Sequence, residues 1–289
     1  LLCPRSRRAG RSCLPRSPCS VVVFKLNSSG HGISHMKIKI FGERNTSTNA
    51  LGSMIKENSS SFLHPSGLRD FSMFERSVVN TAIKVGLSTT WIEDLKDKIF
   101  ARKPLVQQWK HCATYFDTLE HSENTHFIFV IRHPASWALS LHKNPYQSLQ
   151  DSSVPFSQFI DSDWPTVKRE MLHSRSFKPL ELYQEKITSY KYFIKQLDKA
   201  SLSHTVIRFE DMVLRQSWCY DQIKPFLDNP KLAFSEVRKS TKDSSKNLEY
   251  YQDYYGNELW KAELEEDFFS NIEMDRHLLD WMGYDWKKS

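Results

Sequence analysis

KIKIFGERNTSTNAL, residues 37–51, runs from a short strand pattern at Lys37–Phe41 into a polar turn and then a helix start near Asn49. The turn holds Arg44, Asn45, Thr46, Ser47, Thr48 and Asn49, with no carboxylate after Glu43. It therefore offers backbone N–H groups, hydroxyls and one guanidinium at a helix N-terminus, which is the chemistry of an anion cradle. The Lys-Ser/Thr pair and the glycines of the common phosphate loop are missing, so a nucleotide kinase or NTPase is a weaker expectation.

Working outward, further strand patterns stand at Leu105–Trp109, Phe127–Ile131 and Thr205–Phe209, with a weaker one at Leu87–Trp91. Helical patterns fall between them, at 49–57, 72–84, 135–142, 181–199 and 259–282. Apolar strands alternating with helices predict an α/β, three-layer fold with a central parallel sheet and a phosphate-binding loop. In such sheets ligands bind beyond the strand C-termini. Those ends deliver the turn at 44–49, then Lys110-His111, then Arg132-His133-Pro134, then Glu210-Asp211. The acidic pair is expected either to orient His111 or to cap a helix. Ser140 lies eight residues after Arg132 on the returning helix, so the two can converge on one small dianion. Trp137 is expected in the helix core, and the tyrosines of EYYQDYYGNELW (249–260) under a C-terminal lid.

The chain has 289 residues and a formal net charge of +6. Arg5, Arg7, Arg8, Arg11, Arg16 and Lys25 supply all of it, because residues 1–35 hold no acid. The rest is neutral overall, which removes the main support for nucleic-acid binding. Residues 1–35 are expected to be a disordered basic leader or presequence, and 36–289 a single domain. Cys112 and Cys219 are the cysteines left to that domain, too few for a disulfide framework or zinc site. No apolar run approaches the ~20 residues of a membrane span. A reducing, cytoplasmic setting is the expectation.

FGERNTSTNAL together with VIRHPASWALSLHKNPY resembles the sulfotransferase superfamily, whose donor is 3′-phosphoadenosine 5′-phosphosulfate. VIRFEDMV (206–213) is similar to that family's strand ending in an aromatic-Glu-Asp segment, and DRHLLDWMGYDW (275–286) to its closing helix. The nearest likeness is to the branch with a Gly-Glu-Arg-x-Thr-Gly-Thr-Asn loop, and it spans about Met36 to Trp286. The resemblance implies that Arg44, Asn45, Thr46, Ser47, Thr48 and Asn49 surround the 5′-phosphosulfate and that Arg132 and Ser140 hold the 3′-phosphate. It implies His111 as general base, with Lys110 or Arg44 neutralising charge on the bridging oxygen. Arg238, Lys239 and Lys242 resemble the late basic segment that closes over the nucleotide; a solvated charge run fits them equally.

The implied reaction moves a sulfuryl group to a hydroxyl or amine of a small-molecule or carbohydrate acceptor, with no metal. Asn45, Ser47 and Ala50 depart from the family loop, which leaves open a member that binds nucleotide without turnover. Acceptor specificity is expected in loops 58–70 and 143–180, where Asn144, Pro145, Tyr146, Phe156, Phe159 and Trp164 either line a pocket or pack as a loop.

Overall fold

The computed structural model describes residues 35–145, 154–238 and 245–287. Leader residues 1–34 lie outside them, as do Tyr146, Lys239 and Lys242. In chain order the elements are β1 (Lys37–Gly42), α1 (Thr48–Asn58), α2 (Met73–Lys84), α3 (Thr89–Phe100), β2 (Thr125–Ile131), α4 (Pro134–Lys143) and α5 (Phe156–Asp161). There follow β3 (Trp164–Pro165), β4 (Ser176–Phe177), α6 (Pro179–Lys199), β5 (His204–Arg208), α7 (Phe209–Leu214) and α8 (Gln216–Ile223). The C-terminal part holds α9 (Leu248–Gly256), α10 (Phe268–Asn271) and α11 (Arg276–Met282).

β1, β2 and β5 form a parallel sheet in the order β1-β2-β5, while β3 and β4 make a small antiparallel ribbon. Gly42 pairs with Val130 and Ile131 with Arg208, so three strands end along one rim. The period-two alternation of strands sends side chains to opposite faces. Ile38, Ile40, Ile128, Val130 and Ile207 pack against Leu51, Met54 and Ile55 of α1 and Tyr220 and Ile223 of α8. Phe41, Phe127, Phe129 and Ile131 face Trp137 of α4 and Tyr183, Tyr190 and Phe193 of α6. The result is an α/β architecture with helices on both faces of a parallel sheet. No described helix is long and apolar enough to cross a membrane.

Four expectations are corrected. Leu105–Trp109 is not a strand: Leu105–Gln107 forms a 3₁₀ turn after Pro104. The segment nevertheless lies along the outer edge of β1, where Lys110 O accepts from Gly42 N at 2.9 Å and Ser66 O accepts from Lys110 N at 2.9 Å. Leu87–Trp91 is the start of α3, entered after Gly86 at φ +73 and capped by Ser88, which accepts from Trp91 N. The helix expected over 259–282 is three short pieces. Asp275 restarts the chain by capping α11 at Leu278 N, 3.2 Å away. At Thr205–Phe209 the strand stops one residue early, with Phe209 opening α7.

Lys39 points into the layer shared with α6 and is fully buried. Its Nζ donates to Gln108 O at 2.5 Å and lies 4.8 Å from the centre of the Phe41 ring. Burial pushes its ammonium down from 10.5 to about 7. Between those two values the unfolded chain binds the extra proton, so stability rises with pH across that window. Lys39→Met is expected to abolish that rise. Urea midpoints of the two proteins at pH 7 and pH 9 measure it, and a parallel response in both would contradict it.

Candidate functional site

The turn is shaped from its first residue. A Cβ on Gly42 would stand 2.8 Å from Thr48 Cγ2 and 2.9 Å from both Thr46 Oγ1 and Val130 O, so only glycine lets the turn fold back this tightly. Glu43 Oε1 accepts from Arg44 N at 2.6 Å, and Thr46 Oγ1 donates to Glu43 O at 2.5 Å. Asn45 and Ser47 both adopt left-handed backbone at φ 63. Ser47 is the residue before α1, and its side chain makes no capping bond. The first-turn N–H groups of a helix have no intrahelical acceptor, and here they carry the positive end of the helix dipole.

Left-handed backbone costs a non-glycine residue roughly 1 kcal/mol. Ser47→Gly is therefore expected to stabilise the fold by about that amount, read as a higher denaturant midpoint at unchanged slope. A lower midpoint would show that the serine side chain holds the turn.

Arg132 follows β2 and is almost wholly buried. Its Nε donates to Ser136 Oγ at 2.8 Å, Nη1 to Asn45 O at 2.6 Å and Nη2 to Tyr255 OH at 2.5 Å. The guanidinium lies 4.1 Å from the Phe209 ring centre. Its backbone is clamped by Tyr183, whose hydroxyl accepts from Arg132 N and donates to Arg132 O. Asn45 Nδ2 in turn donates to Ser140 O at 3.3 Å. The turn, Arg132 and Ser140 thus meet around one cleft of about 220 Å³. Arg132, Lys143, Arg238 and Lys246 all line it, and among the described residues no Asp or Glu does. Tyr250, Tyr251, Tyr254 and Tyr255 of α9 form its far wall. They also pack toward the C-terminal part, Tyr255 sharing a core with Trp260, Leu264 and Phe268 and Tyr251 and Tyr254 lying against it.

His111 and Lys110 sit on the other side of the turn. His111 Nδ1 is 2.6 Å from Gly42 O. A carbonyl only accepts, so Nδ1 carries the proton and Nε2 presents a lone pair. Burial, then the charges of Lys110 and Arg44, hold the imidazolium well below the ordinary histidine range. Lys110 Nζ donates to Asn49 Oδ1 at 2.5 Å, tying this loop to α1. Arg44 turns away from the cleft. Its guanidinium lies over the Trp109 ring at 4.7 Å, with Nη2 3.6 Å from Glu170 Oε1.

The other expectations divide. Glu210 and Asp211 do not orient His111: Glu210 accepts from His133 N and from Tyr284 OH, and Asp211 pairs with Arg208 and Arg215. Trp137 is core, donating to Arg44 O at 2.8 Å. Phe159 and Trp164 are buried in the main core, whereas Asn144 lines the cleft. Among the described residues no group of three or more His, Cys, Asp or Glu stands ready for a metal.

Sequence reasoning passed over Glu43, Glu170 and Lys186, which form a buried ion cluster beneath the turn. One signal was available. Lys186 interrupts the apolar stripe of α6, four residues after Leu182 and four before Tyr190.

No protein-family model matches the chain, and no curated protein matches it in sequence.

Proposed function

We propose that this protein transfers a sulfuryl group from 3′-phosphoadenosine 5′-phosphosulfate to a hydroxyl or amine acceptor by in-line displacement. One observation carries the reading. Arg132 and Ser140 touch Asn45 across a single cleft, although 87 and 95 residues separate them in the chain. A single nucleotide with anionic groups at both its 3′ and 5′ ends is the ligand such a pair suits. The guanidinium has five N–H donors, of which the protein takes three. The remaining two, one on Nη1 and one on Nη2, are left for a terminal phosphate. Four cations line the cleft, Lys143 and Arg238 each paired with a carboxylate (Glu263 and Glu236), and α9 supplies aromatic faces for a base.

In this reading the sulfate end lies over the turn at 44–49, against the N-terminus of α1. His111 Nε2 takes the acceptor proton as the new S–O bond forms and the bond to the phosphate oxygen breaks. Charge developing on that leaving oxygen is met by helix N–H groups and by Lys110, which the Asn49 contact places beside them. The acceptor is a small molecule or carbohydrate.

A second reading, nucleotide binding without turnover, is favoured by one feature: His111, Lys110 and the Arg44 side chain stand outside the lined cleft. Incubation with sulfur-labelled donor and a panel of hydroxyl and amine acceptors separates the two. Label on any acceptor supports transfer. Calorimetric binding of 3′-phosphoadenosine 5′-phosphate without transfer supports the second reading, and no binding removes both.

A further inference from the structure

We infer that Lys186 is a positioning residue that fixes the anion turn and the His111 loop in one register. The inference rests on the transfer reading and adds to it a residue that touches no part of the cleft.

Lys186 lies on α6 with no exposed surface. Its Nζ is 2.6 Å from Glu170 Oε2, 2.7 Å from His111 O and 2.5 Å from Glu43 Oε2. The first two contacts are hydrogen bonds, while the Glu43 contact is an ion pair without hydrogen-bond alignment. An ammonium carries three N–H groups. Here three oxygens from three separate segments surround it.

Each partner leads to a different part of the proposed machinery. Glu43 spends its other oxygen on Arg44 N, the first N–H of the turn. Glu170 O accepts from Ala113 N at 2.7 Å, two residues beyond His111, and Glu170 Oε1 stands 3.6 Å from Arg44 Nη2. The His111 carbonyl is held directly, while its ring is held to Gly42 O. One side chain therefore fixes both the base and the start of the cradle.

A folding role does not account for this cluster. Burying two carboxylates and an ammonium costs desolvation that an apolar side chain avoids, and well-packed apolar replacements of such groups are often neutral or stabilising. The stripe of α6 around position 186 is otherwise Leu182, Tyr183, Ile187 and Tyr190, which a methionine would continue. What the ion cluster supplies is direction: hydrogen bonds and charge pairs set angles that apolar packing leaves loose.

Lys186→Met alone leaves two buried carboxylates, of which only Glu170 faces the Arg44 guanidinium, and is expected to lower the melting temperature. The paired variant Lys186→Met/Glu170→Gln removes one charge of each sign and serves as the test. Three measurements are made on the full chain: kcat with labelled donor, affinity for 3′-phosphoadenosine 5′-phosphate, and the His111 ring tautomer by nitrogen NMR.

The expected result is a fall in kcat of about 100-fold, in line with the penalty for a misplaced catalytic group. Nucleotide affinity falls by less than the rate does, because the Arg132 end of the cleft is untouched while the turn is loosened, and the Nδ1–H tautomer is lost. A kcat within about threefold of wild type with the tautomer intact overturns the inference. Should wild type transfer no label at all, the transfer reading fails separately. The tautomer then decides alone: retained, it overturns the positioning role; lost, it supports it.

Discussion

Arg132→Lys is expected to weaken binding of 3′-phosphoadenosine 5′-phosphate by roughly 30- to 150-fold, the equivalent of about 2–3 kcal/mol. The substitution keeps the charge, so the loss reports geometry. A guanidinium can hold Ser136, Asn45 and Tyr255 and still present two N–H groups, because its five donors lie in one plane. An ammonium has three donors and no fork. If it keeps any of the three protein contacts it has correspondingly less to offer a phosphate. The stack of Arg132 on Phe209, 4.1 Å from ring centre to guanidinium carbon, also depends on a planar cation. Isothermal titration of both proteins gives the ratio directly. An affinity for the lysine variant within about threefold of wild type would show that the 3′-phosphate is held elsewhere, and the assignment of Arg132 would be withdrawn.

His111→Ala is expected to lower the transfer rate by about 10²–10⁴, the usual contribution of a positioned general base, while leaving nucleotide affinity nearly unchanged. The split follows from placement, since His111 stands across the turn from the cleft that Arg132 and Ser140 line. A pH profile supplies a second check on the same residue. Burial and the neighbouring Lys110 and Arg44 charges depress the imidazolium, so the neutral, proton-accepting ring is already dominant at pH 6.5. The wild-type rate should stay level from neutrality down through pH 6.5 and fall only at lower pH, as the ring gains its proton. An acid limb centred at or above pH 6.5 would place the titrating group elsewhere. Residual transfer equal to wild type in the alanine variant would remove His111 from the chemistry.

Much of the site was legible because it is local. The strand–turn–helix at 37–51 is specified by neighbours: β-branched residues, then Gly42, then hydroxyl and amide residues before an apolar helix face. The same holds for VIRHPASWALS, where Pro134 opens α4 and fixes Ser140 relative to Arg132. At Ser47, one of the positions where the loop departs from the family pattern, the backbone is left-handed at φ 63. The errors fell where a segment's structure depends on something distant. Leu105–Trp109 has strand-like composition, yet Pro104 and the contact of Lys110 with Ser66 bend it along the edge of β1. The tyrosines of α9 read as packing residues, since nothing in their own segment reveals that Arg132 lies opposite.

Sequence alone therefore determined the three parallel strands β1, β2 and β5, the strand–turn–helix at 37–51, and the eight-residue spacing that sets Arg132 before α4 and Ser140 on it, because backbone preference and side-chain periodicity act over a few residues. Only the tertiary structure decided that Arg44 faces Glu170 rather than the cleft and that Lys186 joins three segments. It alone decided that His111 donates through Nδ1 to the end of β1. Those outcomes rest on charge and hydrogen-bond partners between 16 and 143 residues apart, whose pairing is settled by packing and not by any local pattern.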